Sequence, residues 1–98
     1  MTSAKIYKST RDTKKYMVKF VFPDGKKRTV HFGQRGADDY TITGDKEQRQ
    51  RYIDRHDNKR EDWTVPDTPA SLSRWVLWGD TTSVQKNFEL FKKKFKLD

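Results

Sequence analysis

The stretch that decides the fold is KYMVKFVFPDGKKRTVHF, residues 15–32. Its first half places large apolar side chains at every second position, the pattern of a strand with one buried face: Tyr16, Val18, Phe20 and Phe22. The sequence PDGK at residues 23–26 then combines a fixed φ angle, a turn-forming carboxylate and a glycine, and predicts a tight turn. Val30 and Phe32 continue the alternation on a returning strand. The stretch therefore predicts an antiparallel β-hairpin.

The sequence after the hairpin predicts a loop and then a helix. Residues 33–40 contain two glycines and two aspartates, which favour a loop. Tyr40 and Ile42 are candidates for a short third strand. Asp45 is placed to cap a helix that runs to about Asp57, because an aspartate followed three positions later by glutamine approximates a capping box.

Two more helices are predicted in the last third of the chain. The pair Thr68-Pro69 is a favourable start for a short helix, SLSRWVLW at residues 71–78, which Gly79 ends. From residue 82 onward, apolar side chains recur at spacings of four, three and four residues, as on one face of an amphipathic helix: Val84, Phe88, Phe91 and Phe95.

These patterns together predict an α+β fold. An N-terminal antiparallel hairpin, extended to three strands if residues 40–42 join it, packs against two or three helices, of which the last is amphipathic. The apolar face of the hairpin is expected to meet Phe88, Phe91 and Phe95. Three tryptophans in a chain with only four leucines are expected to serve mainly as core residues: Trp63, Trp75 and Trp78.

The composition indicates one small domain with a thin core. The 98 residues include no Cys, which excludes disulfides, structural thiolate metal sites and thiol catalysis. Val, Ile, Leu and Phe total only 19 residues, but 13 aromatic rings add large buried areas. Residues 1–13 hold few apolar side chains and are predicted to be a flexible basic arm, followed by a single compact domain at residues 14–98.

The sequence also predicts a protein that is neither secreted nor inserted in a membrane. No segment approaches the roughly 18 consecutive apolar residues that a membrane-spanning helix needs. The first 15 residues lack the apolar stretch of a signal peptide. A protein that stays inside the cell is therefore expected.

The net charge of +8 is unevenly distributed. Residues 1–33 carry nine Lys and Arg against two Asp, whereas residues 34–67 carry seven against nine acidic residues. Residues 68–98 carry six against three. A basic balance of this kind favours encounters with polyanions. We expect the cations of both ends to converge on one surface that binds nucleic acid.

The candidate nucleic-acid-binding residues lie in the hairpin and in two helices. A two-stranded basic ribbon fits a nucleic-acid groove while its lysines meet phosphates. The candidates are Lys14, Lys15, Lys19, Lys26, Lys27, Arg28, Arg51, Arg55, Lys92, Lys93 and Lys94.

Each group of candidates also has a purely structural interpretation. Lysines of the hairpin can simply protect a strand edge from pairing with another chain. Arg51 and Arg55, spaced to grip one phosphate, can instead pair with nearby acidic residues. The lysine run at residues 92–94 can be the solvated face of a terminal helix.

An enzyme is the less favoured hypothesis. His56 with Glu61 and Asp62 could shuttle a proton or bind a metal. However, no spacing of His, Asp and Glu matches a known metal motif, and no phosphate-binding or nucleophile motif occurs. We therefore predict no catalytic residues, no metal and no cofactor.

Four strings carry a resemblance to a known family. They are DYTI at residues 39–42, RYIDRH at residues 51–56, EDW at residues 61–63 and SRWVLWG at residues 73–79. Over residues 15–97, the chain resembles a family of small uncharacterised proteins encoded by large double-stranded DNA viruses of the giant-virus and algal-virus kind. The resemblance implies a viral origin, one compact domain and a location in the virion or in the cytoplasm or nucleus of the infected cell. It implies no activity.

The function expected from the sequence is non-enzymatic binding of nucleic acid without sequence specificity, as an accessory in genome coating or packaging. The first alternative is a minor structural protein of the virion, in the capsid or core, whose basic arm and aromatic surface contact other virion proteins. A small enzyme or a host-directed binding module is the second alternative. A homodimer is open under each of these hypotheses.

Overall fold

The computed structural model describes residues 1–57 and 62–98. Three strands form one antiparallel sheet in the order β1-β2-β3, and helices follow. The elements are β1 (Ser3–Lys8), β2 (Lys14–Val21), β3 (Lys27–Gln34), α1 (Tyr40–Thr43), α2 (Lys46–His56), α3 (Pro69–Leu72), a π-helical turn (Ser73–Leu77) and α4 (Val84–Phe95). The predicted α+β fold is confirmed, including its amphipathic last helix.

The predicted hairpin forms as β2 and β3. In the turn between them, the Phe22 amide donates to the Lys26 carbonyl at 2.8 Å and the Gly25 amide donates to the Phe22 carbonyl at 2.9 Å. Gly25 adopts a φ of +85°, which favours glycine. Four even-numbered residues of the two strands are buried under the helices, namely Val18, Phe20, Val30 and Phe32, and Val18 and Phe32 are fully inaccessible. The alternation of the sequence thus corresponds to the two faces of the sheet.

The first strand differs from the predicted flexible arm at residues 1–13. Ser3–Lys8 pairs with β2 along its whole length. Ala4 is only 2% exposed, and Ile6 packs against the core. The backbone of Asp98 adds two hydrogen bonds, one from the Ala4 amide at 2.8 Å and one to the Thr2 carbonyl at 2.9 Å. The segment at residues 3–8 is therefore ordered by pairing with β2 and by burial of two small apolar side chains, although it could not form a strand alone.

The predicted third strand at Tyr40 and Ile42 is wrong, because these residues lie in the short helix α1. Asp39 begins the helix, since its Oδ1 accepts the Thr41 amide at 2.8 Å. Gly44 ends it with a φ of +64°. Tyr40 is buried and Ile42 is 63% exposed, so the two residues do not share a buried face as they would in a strand.

Capping residues fix the next two helices as predicted. Asp45 accepts the amides of Glu47 and Gln48 at the start of α2, which ends at His56. Thr68 accepts the Ser71 amide at the start of α3, and Pro69 occupies the first turn.

The short helix after α3 widens into a π-helical turn. The Trp78 amide bonds to the Ser73 carbonyl, five residues earlier, at 3.0 Å. Val76, Leu77 and Trp78 are all buried at the end of this turn. Trp78 stacks on Tyr52 with a centroid distance of 4.3 Å, which confirms its core role, whereas Trp63 and Trp75 are half-buried.

Helix α4 completes the core on the helical side of the sheet. Ser83 caps it, and Phe88 and Phe91 are buried in the same cluster as the even-numbered sheet residues. Phe95 packs against that cluster, so the predicted meeting of the sheet face and these rings is confirmed. Among the described residues, no helix has both the length and the apolar character needed to cross a membrane.

Candidate nucleic-acid interface

Within the described residues, no helix covers one face of the sheet, which we call the open face. It carries the odd-numbered side chains of Ser3–Tyr7, Met17–Val21 and Lys27–His31, because side chains alternate between faces. The strand register aligns them in three rows: Ser3, Val21 and Lys27; Lys5, Lys19 and Thr29; Tyr7, Met17 and His31. Across residues 3–34, which the structure describes completely, these rows contain three lysines and no carboxylate. The open face is therefore a cationic surface.

Two of these lysines lie directly opposite each other. Lys5 and Lys19 are register partners on β1 and β2. Like charges in this position destabilise a sheet. Together with Tyr7 and Lys27 they line a depression of about 390 Å³ on the open face. The arrangement costs stability in the free protein and concentrates positive charge in one concave area.

His31 marks the edge of the open face nearest the β1–β2 connection. Its Nδ1 is hydrogen-bonded to Ser9 Oγ at 2.7 Å, and the same oxygen accepts the Arg11 amide at 3.0 Å. Partial burial, followed by the positive charges of Arg11 and Lys14, lowers the pKa of His31 below its ordinary value of 6.5. The cations thus extend beyond the three rows to this edge of the sheet.

The lowered pKa of His31 predicts a pH dependence of stability. The unfolded chain binds a proton at His31 more readily than the folded chain, so the free energy of unfolding should fall as the pH drops below about 6.5. The loss should level off below the folded-state pKa. Urea denaturation between about pH 7.5 and 5.5 measures this. His31→Asn should remove the decline in this range, and an unchanged decline would assign it to other groups.

The hairpin residues that were predicted to bind nucleic acid lie in different surroundings. Lys19 and Lys27 lie on the open face, as the prediction requires. Lys26 lies in the exposed turn, 3.9 Å from Asp24. Arg28 points to the other face and lies 3.7 Å from Asp67. The hairpin is part of a three-stranded sheet, so it is not the isolated ribbon that the sequence suggested.

Lys15 is a structural residue, contrary to its predicted role. Its Nζ lies 2.6 Å from Asp39 Oδ2 and also donates to the Ala37 carbonyl. The two side chains are only 12% and 2% exposed. The ion pair ties β2 to the cap of α1, so this cation is not available to a phosphate. Lys14, one residue earlier, remains near His31 at the edge of the open face.

The remaining predicted cations lie on the helical side of the domain. Arg51 and Arg55 share a groove on α2 with Asp54, so a carboxylate lies beside both. On α4, Lys92 lies 3.2 Å from Glu89, and Lys94 lies over the ring of Trp75. Lys93 is exposed on the same helix. Because these helices cover the buried face of the sheet, the cations of the two ends do not converge on one surface.

The three residues of the catalytic hypothesis lie only partly within the described residues. Glu61 lies outside them. His56 stacks on Tyr52 with a centroid distance of 4.2 Å. Asp62 accepts hydrogen bonds from Thr64 that lower the pKa of its carboxyl group. Within residues 1–57 and 62–98, no three side chains of His, Cys, Asp and Glu cluster as metal ligands would.

Sequence reasoning missed Lys5, Tyr7 and the contribution of Arg11. All three lie in the segment that was expected to be a mobile arm. The signal was present in SAKIYK, residues 3–8, where Ala4 and Ile6 alternate with polar or amphipathic residues. Two apolar residues of modest size make this alternation weak.

Comparison with known families identifies the family to which the chain belongs. A model of a family of unknown function, DUF5754, matches residues 4–56, which is more than half of the 98 residues. The chain belongs to the DUF5754 family. The DUF5754 segment runs from β1 to the end of α2, so it contains every residue of the open face except Ser3. Searches of curated proteins and of solved structures found no match.

Proposed function

We propose that this protein binds nucleic acid without sequence specificity, through contacts from the open face to the phosphate backbone. The observation that carries the proposal is the grouping of Lys5, Lys19 and Lys27 on one face that has no carboxylate among the described residues. Elsewhere, Lys15 and Lys92 lie against carboxylates. Lysines bind phosphates as point charges and read no base sequence.

The energetics of the face support the same proposal. The opposition of Lys5 and Lys19 is unfavourable in the free protein, and no carboxylate among the described residues of the face offsets it. A polyanion laid across the rows would supply the missing negative charge. Binding of this kind is expected to raise the melting temperature, because a ligand of the folded state stabilises it by mass action.

The proposal describes a binding protein rather than an enzyme. Binding that ignores sequence suits genome coating or packaging, because such a protein must bind wherever the phosphate backbone runs. The viral origin implied by the sequence resemblance stays a prediction.

Neutralising the three lysines is expected to remove most of the binding. In the triple variant Lys5→Gln, Lys19→Gln and Lys27→Gln, three phosphate contacts are lost. The slope of log affinity against log salt should then become shallower by about 2 to 3. Titration of labelled DNA by fluorescence anisotropy, between about 50 and 200 mM salt, measures the slope. The variant should be at least as stable as the native protein, because the Lys5–Lys19 repulsion is gone.

A matched control makes the same charge change on the helical side. Lys46, Lys86 and Lys96 are exposed, and replacing all three with Gln should leave the slope within about one unit of the native value. The His31 signal in an NMR pH titration locates the ligand, since a polyanion on the open face should raise the pKa of His31. Equal losses in the two triple variants, or no DNA binding by the native protein, would overturn the proposal.

The same titration distinguishes binding of nucleic acid from binding of an acidic protein partner, which would be the alternative function. Polyglutamate offers carboxylates in place of phosphates at comparable net charge. Tighter binding of DNA supports the proposal. Equal or tighter binding of polyglutamate would favour a protein partner and would contradict it.

A further inference from the structure

The open face carries a row of flat and apolar side chains beside its cationic row. Tyr7, Met17 and His31 lie across the three strands, two residues along from Lys5, Lys19 and Thr29. Two residues of a strand span about 6.6 Å, so the rows run side by side at that spacing. One nucleotide can therefore place its base on the first row and its phosphate on the second.

Tyr7 is the side chain of this row that solvent reaches most. It is 43% exposed, whereas Met17 beside it is 8% exposed and forms an apolar floor. The Lys19 ammonium lies 5.3 Å from the centre of the Tyr7 ring. The ring thus already attracts a cation through its π face. A base can take the place of the ammonium on that face while Lys19 turns to the adjoining phosphate.

The shape of the domain disfavours the interior of a duplex groove. The major groove of B-DNA is about 12 Å wide and admits one helix or a two-stranded ribbon. The open face belongs to three strands backed by helices, in a domain with smaller dimensions of 28 and 25 Å. In a duplex, the faces of the bases are also hidden by stacking. A ring on an open sheet can stack only on a base that is unpaired.

We infer that the open face binds single-stranded nucleic acid in preference to duplex, with Tyr7 stacking on an unpaired base and Lys5 and Lys19 holding the adjoining phosphates. This inference rests on the proposed function and names its substrate class. Stacking on a tyrosine tolerates any base, because every base has a π face, so it agrees with binding that ignores sequence.

The test compares a single strand of about 15 nucleotides with the duplex of the same sequence, using the native protein, the triple lysine variant and three single variants. The native protein should bind the single strand about tenfold more tightly. Tyr7→Leu should lower that affinity about 5- to 100-fold without changing the salt slope, because no cation is lost. Tyr7→Phe should retain it. Ile42→Ala, which shortens an exposed apolar side chain of α1 away from the open face, should match the native protein.

The outcomes separate this inference from the proposed function. The inference is overturned by equal affinity for the two forms of DNA, or by an unchanged affinity of Tyr7→Leu. If the triple lysine variant still loses binding in that case, the proposed function stands alone. If the native protein binds neither form, both fail. Circular dichroism of Tyr7→Leu checks that the variant is folded; if it is not, the affinities of the native protein for single strand and duplex still test the inference.

Discussion

Replacing Lys15 with Met is expected to lower the free energy of unfolding by about 3–5 kcal/mol. The substitution removes the cation that lies 2.6 Å from Asp39 Oδ2. Asp39 would remain almost fully buried, with the amide and hydroxyl of Thr41 as its hydrogen-bond donors. A buried carboxylate without its cation is costly, because neither water nor an opposite charge compensates for the lost hydration.

Urea denaturation measures the loss as a lower midpoint with an unchanged slope. Lys14→Met is the matched control, since it removes the neighbouring charge without touching Asp39, and it should stay within about 0.5 kcal/mol of the native protein. The double variant Lys15→Met, Asp39→Asn should recover most of the loss, because it removes both charges. If Lys15→Met costs less than about 1 kcal/mol, the ion pair is not the structural tie described above.

The substitution Asn87→Leu is expected to destabilise the domain by a similar amount, about 3–5 kcal/mol. Asn87 is 1% exposed, and its amide joins α4 to the preceding segments. Its Nδ2 donates to the carbonyls of Val76 and Thr81, each at 2.8 Å, and its Oδ1 accepts the Thr81 amide at 3.0 Å. Leucine has a similar volume but leaves these backbone groups without partners.

Thermal unfolding checks this expectation, because a loss of 3 kcal/mol lowers the melting temperature of a domain of this size by more than about 12 °C. Gln85→Leu on the same helix is the control, since Gln85 is exposed and the same kind of change should have little effect there. A melting temperature close to the native value for Asn87→Leu would contradict the role assigned to the amide.

The parts of the fold that could be predicted are those whose causes are local in sequence. The hairpin follows from strict alternation and a turn sequence, and both signals lie within residues 15–32. The caps at Asp45 and Thr68 are local for the same reason, because a capping side chain bonds to amides two or three residues away.

The errors have a common cause in contacts between distant parts of the chain. β1 is held by pairing with β2 and by the backbone of Asp98, and within residues 1–13 only the weak alternation of Ala4 and Ile6 indicates a strand. At Tyr40 and Ile42, the alternation was misleading, since Asp39 accepts the Thr41 amide and begins a helix. A capping aspartate competes with strand pairing for the same backbone groups.

The errors in the candidate site also come from contacts between distant parts of the chain. Lys15 and Lys19 are the same residue type on one strand, yet Lys15 pairs with Asp39, 24 residues later, whereas Lys19 is exposed to solvent. A count of charged residues cannot distinguish a lysine in a buried ion pair from an exposed one. The placement of Lys5 on the same face as Lys19 and Lys27 depends on the strand register, which the sequence alone did not reveal.

The alternation of core residues and open-face residues along the middle of β2 has a consequence for how this sheet can vary. Exchanging Lys19 or another exposed residue of the open face changes the surface and leaves the core intact. Inserting or deleting a single residue in β2 would instead turn Val18 and Phe20 outward and Lys19 inward, because the period of a strand is two. Substitutions on the open face can therefore change its charge gradually, whereas a single-residue insertion or deletion in β2 would disrupt the core and the open face at once.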